Sequence, residues 1–114
     1  MARDFSFEEK ITDGGHLTIL RKINIYFNTI TMLFENIPTM MMRELRFARV
    51  VDFSMKADFP DEYRDDMDIM AYRTLIGFDY EKENCKYIYC VKIEDYEIIV
   101  KSLNFVTLDI LDEL

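Results

Sequence analysis

Residues 4–28 read DFSFEEKITDGGHLTILRKINIYFN, and the period of this stretch decides the fold class. Phe5, Phe7 and Ile11 share one side of an alternating run with Glu9, while Asp4, Ser6, Glu8, Lys10 and Thr12 take the other, the pattern of a half-buried strand. Asp13-Gly14-Gly15 follows, and its glycines supply the positive φ that a tight hairpin demands. Beyond the turn, Leu17, Ile19, Ile23, Ile25 and Phe27 lie on one side with Arg21, opposite His16, Thr18, Leu20, Lys22, Asn24, Tyr26 and Asn28. Leu17, Leu20, Ile23, Phe27 and Ile30 also form a helical stripe, so the period leaves residues 16–28 open between strand and helix. Turn chemistry and β-branched content favour an N-terminal hairpin.

Outward from that hairpin, residues 29–43 show no clean period and contain Pro38, which reads as a short helical turn followed by a loop. Glu44 to Met55 predicts a central strand, with Leu45, Phe47, Val51, Phe53 and Met55 on one face. Pro60, Asp61 and Glu62 suit a helix N-terminus, and Tyr63, Met67, Met70, Ala71 and Thr74 continue as its apolar stripe. LIGFDY (75–80) and CKYIYCVKI (85–93), joined by Glu81 to Asn84, form a second hairpin with Lys86 to Ile93 as an edge strand. Residues 94–113 fit a helix or further strand equally. The expected fold is α+β: an antiparallel sheet of about five strands (N-terminal hairpin, central strand, C-terminal hairpin) with one or two helices packed on it.

The chain of 114 residues is 50% hydrophobic and 14% aromatic, with three glycines and two prolines, which predicts a single compact domain over 1–114 and excludes disordered or collagen-like classes. Its longest apolar-leaning stretch, Ile23 to Phe34, is broken by Asn24, Asn28, Thr29 and Thr31 and is shorter than the roughly 20 residues a membrane helix needs. The charged opening MARDFSFEEK does not read as an export signal, and the only cysteines are Cys85 and Cys90; the expected location is the cytoplasm, with both thiols reduced.

Chemistry-bearing motifs are sparse. The only histidine, His16, adjoins a Gly-Gly turn, and Ser6, Ser54 and Ser102 lie in no nucleophile motif, so no catalytic residue is assigned. A thiolate at Cys85 or Cys90 would need an electropositive setting, whereas its sequence neighbourhood is acidic. The two cysteines lie five positions apart, which puts them on opposite faces of a strand, and no second Cys or His pair completes a zinc site. DEYRDDMD (61–68) lacks the glycine and terminal glutamate of a calcium loop. Gly14-Gly15 matches no phosphate-binding loop. No metal or cofactor is expected, and the chain does not read as an enzyme.

Charge is the informative property. The net charge is −8; residues 1–57 hold eight Lys/Arg and seven Asp/Glu, whereas residues 58–114 hold six and fifteen. The densest run is DFPDEYRDDMD (58–68), and Asp79, Glu81 and Glu83 follow. Such a half does not bind nucleic acid directly or an anionic membrane, since phosphate contact needs clustered Lys and Arg. It suits a basic protein surface, with tyrosines as anchors. The candidate partner-binding residues are Asp58, Asp61, Glu62, Tyr63, Asp65, Asp66, Asp68, Asp79, Glu81 and Glu83. For each acid the plain alternative is a solvated face that keeps the protein soluble.

In general character, a short, acidic, motif-free domain is similar to the small inhibitors that bacteriophages and mobile elements direct at host nucleic-acid machinery, anti-CRISPR proteins among them. That resemblance is one of composition and implies a non-catalytic inhibitor whose acidic C-terminal half occupies the basic groove of a nucleic-acid-binding protein, in one form as a nucleic-acid mimic. Two further readings come from other classes: an assembly subunit or homodimer that pairs through the Lys86 to Ile93 edge or the Met40 to Met42 segment, and a small-molecule-binding domain.

Overall fold

Phe7 and Ile11 lie four residues apart, and the chain uses that spacing rather than the alternation. The computed structural model describes residues 2–3, 5–37, 39–57, 74–94 and 96–111. After a two-residue strand, β1 (Ala2–Arg3), Phe5–Thr12 forms a helix, α1. Ile11 is fully buried and Phe7 stacks on Phe78 with ring centroids 5.1 Å apart, while Glu9, which a strand would have turned inward with them, is exposed. The helix end is held by local and distant partners. The Thr12 hydroxyl donates to the Glu8 carbonyl (2.9 Å), and the buried side chains of Asn36 and Arg43 donate to the carbonyls of Ile11 (2.9 Å) and Lys10 (3.2 Å). Asp13, Gly14 and Gly15 all take positive φ and unwind the helix, so the glycines cap a helix where a hairpin turn was expected.

Beyond α1 the chain is all strand. β2 (Leu17–Tyr26), β3 (Thr29–Ile37) and β4 (Met42–Phe47) form a meander. The expected helical turn and loop at 29–43 is mostly β3: Ile30, Met32 and Phe34 are buried on one face, alternating with Thr29, Thr31 and Leu33. Ala48 and Arg49 then turn the chain into β5 (Val50–Ala57), with Arg49 at φ 54°. The single central strand expected at 44–55 is therefore two strands in different sheets. β6 (Leu75–Glu83), β7 (Lys86–Ile93) and β8 (Tyr96–Ser102) make a second meander, and β9 (Thr107–Leu111) closes the described chain. Within the 94–113 segment, open between helix and strand by its pattern, Tyr96–Ser102 and Thr107–Leu111 are strands.

The strands form two antiparallel sheets, ordered β2-β3-β4-β9 and β1-β6-β7-β8-β5. β4 pairs with β9 in one sheet and their continuations β5 and β8 pair in the other, so one two-stranded ribbon bends from sheet to sheet. The Leu103 N–H donates to the Arg49 carbonyl (3.0 Å) and the Val50 N–H to the Asn28 carbonyl (2.8 Å) at that corner. On the opposite flank Ile19 bridges to Thr74. The architecture is thus nearly all-β, two stacked sheets with one helix of eight residues among the described residues, and not an α+β sheet of about five strands. The helix expected from Pro60 to Thr74 lies outside the described residues, except Thr74 itself. β7 is an interior strand between β6 and β8, so it offers no pairing edge.

The two sheets close on one core. Leu20, Ile30, Met32, Phe34, Leu45 and Phe47 from the first meet Phe78, Tyr89, Val91, Ile93, Ile98 and Val100 from the second. Tyr89 is the centre, with the rings of Phe47, Phe78, Tyr80, Tyr87 and Phe105 within 6.2 Å of its own. Its buried hydroxyl accepts a hydrogen bond from the Val106 N–H (2.7 Å), which ties the β8–β9 crossing to the core.

Candidate functional site

The outer face of the five-stranded sheet carries acids and lysines from β5 to β8. Reading across the strands, Gly77, Lys92, Glu97 and Lys56 form one row; Asp79, Cys90, Ile99 and Ser54 the next; Glu81, Ile88, Lys101 and Asp52 a third. Lys92, Glu97 and Lys56 thus alternate in sign across three strands and Lys101 faces Asp52, opposite-charge neighbours that stabilise a sheet. Lys92 Nζ lies 2.9 Å from Asp79 Oδ2, and Lys101 Nζ lies 3.7 Å from Asp52 Oδ2. The Lys92 stem lies over Gly77 on its way to Asp79, close enough that a Cβ there would stand 3.4 Å from Lys92 Cδ, in van der Waals contact. Hydrogen bonding to Asp79 raises the Lys92 ammonium above its ordinary value.

Asp79 is buried, and its second oxygen has no hydrogen-bond partner among the described residues. Glu81 and Glu83 are exposed at the other end of β6, where Glu83 faces Lys86 beside the Asn84-Cys85 turn. Asp58, Asp61, Glu62, Tyr63, Asp65, Asp66 and Asp68 lie outside the described residues. The strand ends that flank them, Ala57 and Thr74, sit where Tyr96 pairs with Ala57 and the Glu94 N–H donates to the Thr74 carbonyl (2.9 Å). Glu83 lies eight residues from Leu75, about 26 Å along the strand. Among the expected residues, the structure therefore pairs Asp79 internally and sets Glu81 and Glu83 at the end of β6 far from Thr74.

The thiols and the histidine have plain environments. Cys90 is buried, donates to Glu97 Oε1 (3.8 Å), and its thiol is pushed up to about 11 by burial and then by the Glu97 charge, which leaves it protonated and unreactive. Cys85 is exposed and free. His16 is exposed with Nδ1 3.7 Å from Asp13. Among the described residues no three His, Cys, Asp or Glu side chains converge as metal ligands, and no helix is long and apolar enough to cross a membrane.

One open cavity of about 470 Å³ lies between α1 and β9, lined by Phe7, Lys10, Arg43, Leu108 and Ile110 among others. Arg43 gives it a buried guanidinium, but that group is engaged with the carbonyls of Lys10 and Met42 and with Asp13 Oδ1 at 3.3 Å. A second, of about 340 Å³, lies along Thr12, His16, Leu17 and Ile76.

A surface that the sequence reading missed is the β2–β3 turn. Alternation put Ile25 and Phe27 on a buried face, yet Ile25, Tyr26 and Phe27 are 58%, 73% and 87% exposed. Phe27 adopts φ 53°, a conformation that glycine or asparagine ordinarily takes at a hairpin turn, and its ring packs edge-on against Tyr26 at 4.7 Å. Nothing in the period announces this, because alternation continues unchanged past the point where the opposing sheet ends.

No family model and no curated protein matches the chain. Its fold is similar to that in the crystal structure of an uncharacterized protein from Neisseria gonorrhoeae, with a TM-score of 0.61 at 13% identity, over 85% of this chain and 94% of that one. At that identity the likeness concerns the fold alone.

Proposed function

We propose that the protein is a non-catalytic binding inhibitor of the kind that phages and mobile elements carry, which uses the acidic 58–68 segment to occupy the basic surface of a nucleic-acid-binding protein and exclude the nucleic acid. The observation that carries this reading is where the charge resides. The described residues hold twelve acidic and twelve basic side chains and are electroneutral, so the whole net charge of −8 falls outside them. Half of it belongs to residues 58–73, with six acids against Arg64 and Arg73. A β framework that balances its own charges, interrupted by one connection that does not, separates the scaffold from the part that attracts a partner. Attraction of this kind steers association and weakens with salt.

The test is capture of the partner from the native host, followed by competition. The quadruple variant Asp61→Lys, Glu62→Lys, Asp65→Lys and Asp66→Lys brings the net charge of −8 to zero. The expected result is loss of capture with the thermal midpoint nearly unchanged, and displacement of the wild-type protein by DNA or RNA. Undiminished binding by the variant overturns the reading.

A further inference from the structure

β2 is an edge of its sheet, and its outer side is occupied among the described residues only at Ile19, by the bridge to Thr74. Beyond that bridge the strand is irregular at one point, the register shift between Leu20 and Lys22, and it ends at the turn of Phe27 and Asn28. Between those limits Lys22–Ile23–Asn24–Ile25–Tyr26 runs in unbroken register against Leu33 to Thr29. Tyr26 and Thr29 flank a two-residue turn and form its hydrogen-bonded pair, so alternation points the backbone groups of Tyr26, Asn24 and Lys22 toward β3. The N–H and C=O of Ile23 and Ile25 therefore point away from it, toward the open edge.

We propose that this edge pairs with the same strand of a second copy, antiparallel about a two-fold axis at Asn24, to give one continuous eight-stranded sheet across the dimer. The regular stretch is itself centred on Asn24, so this register alone uses all of it without running into the bulge or the turn. It sets Ile23 opposite Ile25 of the second copy, and the reverse, as two hydrogen-bonded pairs that satisfy all the outward backbone groups. The same pairing brings exposed Ile25 against half-buried Ile23 on the core side. On the other side Lys22 meets Tyr26, an ammonium beside an aromatic ring that is 73% exposed in the monomer. The two Lys22 ammonium groups are four residues apart along the joined strands, about 13 Å, beyond the Debye length at physiological salt. Edge strands are commonly blunted by lysine, proline, a bulge, inward charge or a covering element, and this one carries Lys22 and a bulge just before it. Lys22–Tyr26 has no proline, its one charge faces away from the core, and no described element covers it. This inference goes beyond the acidic-segment reading and does not depend on it.

The experiment combines light scattering with a crosslink. Wild-type protein is expected at twice the 13.7 kDa chain mass at submillimolar concentration. Asn24 sits on the axis as a non-hydrogen-bonded pair with Cα atoms about 4.5 Å apart, within disulfide reach. In a Cys85→Ser background, which removes the exposed thiol, Asn24→Cys is expected to oxidise to a disulfide dimer and Asp109→Cys on β9 is not. Ile25→Lys, which sets a charge against Ile23 of the other copy, is expected to weaken the dimer roughly tenfold or more. Ile110→Lys, equally exposed on the other edge of the same sheet, is expected to leave it unchanged. A monomeric wild type, or Asn24→Cys that crosslinks no faster than Asp109→Cys, overturns the proposal.

Discussion

Replacing Tyr89 by phenylalanine removes one oxygen from the centre of the core and leaves the ring in place. The ring keeps its contacts with Phe47, Phe78 and Phe105, so little hydrophobic burial is lost. What disappears is the acceptor for the Val106 N–H, 2.7 Å away, at a residue only 3% exposed. A buried donor left unpaired costs about 1–3 kcal/mol. At about 4 °C per kcal/mol for a domain of this size, the melting midpoint falls by about 4–12 °C. Thermal and urea unfolding followed by circular dichroism measure the loss, and amide exchange at Val106 localises it to the β8–β9 crossing. Tyr87→Phe, a half-buried neighbour on the same strand, serves as the reference and stays within about 0.5 kcal/mol of wild type. The pH dependence has a sign of its own. Burial, the largest cause, raises the Tyr89 phenol above its ordinary value of 10, so above pH 10 the unfolded chain loses this proton while the folded one keeps it. Stability then falls with rising pH, by up to about 1.4 kcal/mol per pH unit, and Tyr89→Phe lacks this component. A variant as stable as Tyr87→Phe, with an unchanged alkaline slope, would refute the role given to the hydroxyl.

Two other predictions follow from single residues. Ellman's reagent at pH 8 should titrate one thiol per native chain, Cys85, and both in denaturant, because Cys90 is buried and its thiol ionises only near 11; rapid reaction of two native thiols contradicts the burial of Cys90. Phe27→Gly should raise the unfolding midpoint, since relief of an L-residue at φ 53° returns about 1–2 kcal/mol against up to ~1 kcal/mol of added chain entropy; a lower midpoint would mean that the exposed Phe27 ring holds the turn.

Three strands lie close to where the pattern puts them, although their burial does not alternate along their length. β2 and the β6–β7 hairpin begin and end within a few residues of where Leu17 to Asn28 and Leu75 to Ile93 place them. Where the reading failed, the deciding contact is distant or the turn lacks its usual residue. α1 is eight residues long, and its side of the choice is fixed by Asn36 and Arg43, 25 and 33 residues from the carbonyls they cap. The break between β4 and β5 falls at Arg49, which takes φ 54° itself, and four more turns rest on the non-glycine residues Asp13, Phe27, Met40 and Asn84. Asp13 and Asn84 are ordinary turn residues, but Phe27, Met40 and Arg49 are not, so those corners are invisible to turn chemistry and β4–β5 reads as one long strand. Pro38, taken as the mark of a loop through 29–43, follows an uninterrupted nine-residue strand.

The acids behave differently according to whether a strand owns them. Asp79 sits in the ladder, and the register that makes β6 pair with β7 also delivers Lys92 to within 2.9 Å of it; its charge is spent inside the sheet. Counting it with the 58–68 run was reasonable from spacing alone and is physically a different case, because a paired and buried carboxylate has little long-range field to offer. Glu81 and Glu83 are free to attract, but from the far end of the same strand. Composition could reveal the excess of acids in the second half, whereas only pairing shows which ones the framework neutralises, as Lys92 does Asp79 and Lys101 does Asp52; in number, the described acids and bases are equal at twelve each. Reversing charges at 61–66 therefore alters the long-range field without removing any ion pair formed among the described residues, which is why binding and stability should separate in that variant and not in one made at Asp79.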